Sequence, residues 1–98
     1  MRNALRASQI EWQRHALERM MERGIRRSDA LHVLLSGEAI EDYPDDKPFP
    51  SALFLGWIES RPIHVVAALD AANDCVFVLT VYEPDLEHFE ADFRRRKS

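Results

Sequence analysis

The sequence predicts an α+β domain, with an N-terminal helical hairpin packed on a four-stranded antiparallel sheet and a short C-terminal helix or turn. Apolar residues recur at helical spacing up to Gly24 and again up to Gly37, then alternate as strands do from Glu38 onward. Helical and strand patterns are segregated along the chain, the order of α+β rather than βαβ folds. A length of 98 residues with 46% hydrophobic side chains suits one core, so the chain reads as a single domain with residues 1–8 and 94–98 frayed.

The first helix is expected over Gln9 to Arg23, with Ser8 as N-cap, Glu11 completing a capping box and Gly24 ending it. At 100° per residue, Ile10, Ala16, Leu17, Met20 and Met21 share one side, and Trp12, His15, Glu18, Arg19, Glu22 and Arg23 the other. Ser28 with Asp29 restarts a helix that runs through Leu31, Val33 and Leu35 to Gly37. It is apolar around most of its circumference and therefore expected to be largely buried.

Ala39 to Tyr43 reads as a short edge strand, and Pro44 to Pro50, interrupted by three prolines, as a loop. Ser51 to Ile58 is a strand in which Leu53, Leu55 and Trp57 face opposite to Ala52, Phe54, Gly56 and Ile58. Glu59 to Pro62 is a hairpin connection. Ile63 to Leu69 is apolar on both faces, as central strands are, and Cys75 to Tyr82 is the fourth strand. Leu86, Phe89 and Phe93 then recur at spacings of three and four, the pattern of a short element packed on the sheet.

Charge is divided unevenly. Residues 1–36 hold seven arginines against four acidic side chains, and residues 37–98 hold six lysines and arginines against thirteen acidic ones, for a net charge of -4. The total argues against a broadly basic surface of the kind that binds duplex nucleic acid and leaves a local basic groove open. No segment has the length of a membrane span or the apolar core of a signal peptide, so a cytoplasmic protein without membrane contact is expected. Cys75 stands alone, without a partner for a disulfide or a thiolate metal site.

Six residues are candidates for chemistry. His15, Arg19 and Arg23 follow at i, i+4 and i+8, a stripe with neighbouring Cβ atoms about 6 Å apart. The alternative is that His15 bonds the hairpin or the sheet, and that the arginines pair with Glu18, Glu22, Glu41 or Asp42. His64 lies on the central strand and shares a face with Val66 and Ala68, which also suits a satisfied core histidine. Thr80 and Tyr82 share a strand face, where Tyr82 is placed either for burial or to donate a proton or stack on a base. His32 and His88 read as structural. Glu41, Asp42, Asp45 and Asp46 lack a calcium-loop pattern, and there is no phosphate loop, nucleotide fingerprint or cofactor motif, so no metal or cofactor is expected. The tail Arg94-Arg95-Arg96-Lys97 reads as solvated, with a contact to RNA or an acidic partner as the alternative.

His15-Ala16-Leu17-Glu18-Arg19-Met20-Met21-Glu22-Arg23-Gly24-Ile25, Ser36-Gly37-Glu38, Ile40-Glu41-Asp42-Tyr43-Pro44, Arg61 to Val66 and Thr80 to Asp85 together resemble an uncharacterised bacterial domain family. Its helix has the form His-Ala-x-x-Arg-Met-x-x-Arg-Gly-Ile, and the resemblance spans residues 12–93. That family in turn resembles the BrnT and RelE-type toxins, small α+β ribonucleases of toxin-antitoxin pairs. The resemblance implies metal-independent RNA cleavage by the ribose 2′-hydroxyl, with His15 and His64 in acid-base roles, Arg19 and Arg23 holding phosphate, and Tyr82 and Thr80 in support. It implies RNA as substrate and a cognate antitoxin, of zinc-ribbon or DNA-binding type, as partner. The alternative function is a noncatalytic interaction or regulatory module of the same fold.

Overall fold

A computed structural model describes residues 9–96. In chain order the elements are β1 (Ile10–Trp12), α1 (Arg14–Arg23), α2 (Arg27–Ser36), β2 (Glu38–Tyr43), β3 (Ser51–Ile58), β4 (Arg61–Asp70) and β5 (Cys75–Tyr82). The strands form one five-stranded sheet in the order β1-β5-β4-β3-β2. The α+β class stands, but the expected four-stranded antiparallel sheet is a five-stranded mixed one. β2 to β5 pair antiparallel, and β1 runs parallel to β5 with Ile10 opposite Val76 and Trp12 opposite Val78.

β1 is the segment where helical periodicity misleads. Gln13 is extended at φ -67°, ψ 144°, so α1 begins at Arg14 rather than Gln9. Pairing satisfies the outer edge of β5 at both ends of β1: Val76 N–H donates to the Gln9 carbonyl at 3.0 Å and Gln13 N–H to the Val78 carbonyl at 3.1 Å. Ser8, the expected N-cap, lies outside the described residues. Arg94 to Arg96, expected to fray, are described; Lys97 and Ser98 are not.

Gly24 ends α1 in the left-handed conformation at φ 65°. Ile25 N–H reaches back to the Met20 carbonyl at 2.9 Å, and Ile25 itself is buried, which closes the helix end with an apolar contact. α2 starts one residue earlier than its Ser28-Asp29 signal suggests. Asp29, in its first turn, accepts from Arg26 N–H at 2.9 Å, and this bond leads the effects that hold its carboxyl below the usual range.

Both helices lie on one face of the sheet. Ala16, Met20, Ala30, Val33 and Leu34 pack against Ile63, Val65, Ala67, Val76, Val78 and Val81 in one core. α2 comes so close to β3 that a Cβ on Gly56 would stand 2.8 Å from Val33 Cγ2. Met21, assigned by periodicity to the buried side, is 83% exposed, because the helix turns it away from the Ala16–Met20 line that meets the sheet.

The second face is covered by coil. The proline-rich loop 44–50 lays Phe49 on Phe77 with centroids 5.5 Å apart and planes nearly parallel at 5°. Residues 84–96 cross the opposite end as a strap of turns rather than a helix, in which Phe89 is buried and Leu86 is exposed.

Candidate functional site

Strand alternation decides which side chains meet beneath the strap. Ile63, Val65 and Ala67 point to the helices, so His64, Val66 and Ala68 point away from them. Register places Tyr82 and Thr80 of β5 opposite His64 and Val66, and Leu55 and Leu53 of β3 on their other side. On β2, Glu38 and Glu41 stand opposite Leu55 and Leu53, so the same face carries both carboxylates, and Tyr43 after them.

His64 is fully buried, with both ring nitrogens engaged. Nε2 lies 2.8 Å from the Phe93 carbonyl of the strap, and Nδ1 lies 3.2 Å from Tyr82 Oη. A carbonyl only accepts, so this arrangement assigns the proton to Nε2 and leaves Nδ1 to accept from the tyrosine hydroxyl. Burial pushes the imidazole below its ordinary pKa; the Phe93 carbonyl opposes this, Arg96 adds to it and Glu41 opposes it. The ring is therefore neutral at pH 7. Phe89 stands edge-on to it at 4.6 Å and Tyr82 at 5.2 Å. Burial likewise raises the Tyr82 hydroxyl.

Beside this pair lies a charged group. Arg96 donates from Nε to Glu41 Oε2 at 2.9 Å and from Nη2 to Glu41 Oε1 at 3.2 Å, while Tyr43 Oη donates to Glu41 Oε1. The Arg96 bond is the largest effect holding the Glu41 carboxyl below its usual range, and Glu41 in turn raises Arg96. Arg96 also lies 5.0 Å over the Phe89 ring, and residues 89 and 96 form a β-bridge that closes the strap into a loop. At its tip, Asp92 Oδ1 accepts from Arg94 N–H at 3.0 Å and Arg95 N–H at 3.3 Å, and Phe93 sits at φ 57°. The tip thus presents the Phe93 carbonyl to His64.

The six expected residues are divided between the two sides of the sheet. His64, Tyr82 and Thr80 share the strap face. His15, Arg19 and Arg23 lie exposed on α1, which packs on the other face, so the two histidines do not converge. Arg19 approaches Glu22 at 3.9 Å, the local pairing weighed as its alternative. Arg23 contributes its carbonyl, which accepts from Arg61 Nη2 at 3.0 Å. Glu41, weighed as an arginine partner or in an acidic cluster, Arg96, weighed only within the tail, and Tyr43 join the site without being among the six. The alternation of Glu41 and Tyr43 along β2 was a usable signal, whereas the basic tail marked Arg96 only as a cation, and its partner Glu41 lies 55 residues away. The tail expected to be solvated is instead tied down by Arg96 and by Arg94, whose Nε donates to Glu38 Oε2 at 2.8 Å.

Among the described residues, Asp85, Glu87 and His88 bring potential metal ligands within 4.8 Å of one another. All three are exposed, and Asp85 Oδ1 already closes its own turn by accepting from Glu87 N–H, His88 N–H and His88 Nδ1 at 2.8–3.0 Å.

An α+β domain whose sheet keeps one face for two helices, and on the other buries a histidine beside a tyrosine under a strap pinned by a half-exposed arginine on a carboxylate, defines the class. The chain belongs to the family described as a domain of unknown function (DUF4258), whose model matches residues 12–83. That span takes in every secondary-structure element except the first two residues of β1, and ends just before the strap. No curated protein and no solved structure matches the chain. Among the described residues, no helix is long and apolar enough to cross a membrane.

Proposed function

We propose that this domain is the RNA-cleaving member of a toxin-antitoxin pair and that its chemistry lies on the strap face rather than on α1. The observation that supports this most is His64, neutral and paired with Tyr82, beside Glu41 and Arg96. The similarity to BrnT and RelE-type toxins motivates the reaction class. In that reaction the 2′-oxygen bonds to the adjacent phosphorus while the phosphorus–5′-oxygen bond breaks, leaving a 2′,3′-cyclic phosphate and a 5′-hydroxyl. One base takes the 2′ proton, one acid protonates the departing 5′-oxygen, and no redox partner is needed.

His64 suits the base. When the strap tip lifts, Nε2 loses the Phe93 carbonyl and gives its proton to water while Nδ1 takes one from water. In this second tautomer the Nε2 lone pair faces the 2′-hydroxyl and Nδ1–H donates to Tyr82 Oη. Tyr82 then has its own hydroxyl proton free for the leaving oxygen. Arg96, anchored at the base of the loop by its bridge to Phe89, exchanges Glu41 for the phosphate and stabilises its charge. His15, Arg19 and Arg23 are left for contact with RNA away from the reaction, or with the antitoxin.

The module reading has one observation in its favour: the chain's own strap occupies both the space over His64 and its Nε2. Purified protein, beside His64→Ala and Asp92→Ala, is incubated with single-stranded RNA and the products are examined for cyclic phosphate ends. Cleavage that increases in Asp92→Ala, where the tip is loosened, and disappears in His64→Ala is the expected result. If neither the parent nor Asp92→Ala cuts RNA, the ribonuclease reading fails and the interaction module takes its place.

A further inference from the structure

The geometry points to a second site, a nucleobase-binding cleft walled by Trp57 one strand away from His64. The cleft has a volume of about 320 Å³ and lies where the end of α2, the start of β2, the end of β3 and the strap tip meet. That volume is within the range of small-ligand pockets and ample for one base.

Trp57 is the first reason. Its face-mates along β3, Leu53 and Leu55, are buried, yet the indole is 44% exposed. Its aromatic neighbour, Phe93, meets it at a steep 71° with centroids 5.9 Å apart, a contact that fixes the ring and leaves it as a wall of the cleft. A fixed, half-open indole is the platform on which bases of any sequence stack.

Around that wall stand groups that read a base edge. Glu38 accepts only, and with Oε2 held by Arg94 Nε its Oε1 has no hydrogen bond among the described residues and serves a donor as an acceptor. Ser36 Oγ donates to the His32 carbonyl at 2.6 Å and lies 3.2 Å from His32 Nε2, holding both side chains at the rim. A carboxylate acceptor favours bases with an exocyclic amino group, so cytosine, adenine and guanine are preferred over uracil.

Position is the third reason. Glu38, Leu55, His64 and Tyr82 form one cross-strand row, so Glu38 stands two inter-strand spacings, about 10 Å, from His64. Leu55 and His64 are buried beneath the strap, so a base in the cleft directs its ribose and phosphate toward Arg96 and His64 only once the strap tip lifts. The cleft's role in positioning substrate rests on the ribonuclease reading, whereas base binding itself does not.

The test is a titration of isotope-labelled protein with the 5′-monophosphates of cytidine, adenosine, guanosine and uridine, and with ribose 5-phosphate, followed by NMR. Saturable shifts of the Trp57 indole N–H and the Gly56 and Ser36 amides are expected with the amino-bearing nucleotides. Uridine monophosphate binds several-fold more weakly, and ribose 5-phosphate leaves these signals unmoved. Trp57→Ala weakens binding roughly tenfold or more while Trp57→Phe keeps most of it, and the same spectra report that each variant is folded. Shifts shared by ribose 5-phosphate, or no saturable shift of the cleft signals, overturn the proposal. Cleft binding without RNA cleavage by Asp92→Ala overturns the ribonuclease reading alone, and cleavage with a silent cleft overturns the base site alone.

Discussion

On its helix side the sheet is closed by interdigitated aliphatic groups, Val33 on Gly56 and Ala16, Met20 and Ala30 among Val65, Val76 and Val78. On its strap side Phe89 and Phe49 cover it beside a set of directional contacts, a carbonyl on His64, a guanidinium on Glu41 and a second on Glu38. Apolar burial is non-directional and survives small shifts, whereas hydrogen bonds to a buried ring are lost once the partner moves about an ångström. One face is thus built to stay shut. The other is held by contacts that each depend on the position of one partner.

Four measurements test that contrast. Ile63→Ala, a truncation inside the helix-side core, is expected to cost about 3 kcal/mol in chemical denaturation. His64→Leu leaves the Phe93 carbonyl without its donor and is expected to cost less, about 1–2 kcal/mol, and under the proposed function to abolish RNA cleavage. A His64→Leu cost equal to that of Ile63→Ala would mean that the strap face is an ordinary half of the core, and the contrast would fail.

The third is a pH series. The folded-state pKa of His64 lies below its ordinary value of 6.5, so in the window between the two the unfolded chain holds the extra proton. Stability from this group is complete above that value and declines as the pH falls through the window. Glu41 and Asp29, whose carboxyls are held low, lose their contributions at lower pH still. His64→Leu is expected to flatten the decline just below pH 6.5, and an unchanged slope would contradict the assignment of a neutral buried ring. Smallest of all, Arg14→Ala breaks an exposed pair with Glu18 at 3.0 Å and is expected to change stability by less than about 0.5 kcal/mol.

How much of this was legible depended on how local the cause was. Alternation alone fixed β3 at Ser51–Ile58 and β5 at Cys75–Tyr82, and put His64, Thr80 and Tyr82 on faces that the register then joined. The ends of both helices at Gly24 and Gly37 were equally plain. β1 was not, because three residues hold too few periods to tell 2.0 from 3.6, and its pairing partner is 66 positions away. The candidate site suffered the same limit. His15, Arg19 and Arg23 make an obvious stripe on an isolated helix, but only the packing of α1 on the far face separates them from His64.

β1 has one more implication, for the order in which the chain gains structure as it is made. Both β1 and α1 rest on β5, the last strand, so a nascent chain that already holds its hairpin of helices has no surface on which to bury Ala16 and Met20. Those side chains wait, in contact with solvent or chaperones, until Val76 to Val81 leave the ribosome. A chain interrupted before β5 is therefore left with its apolar helix faces open, a form suited to removal by proteases rather than to accumulation.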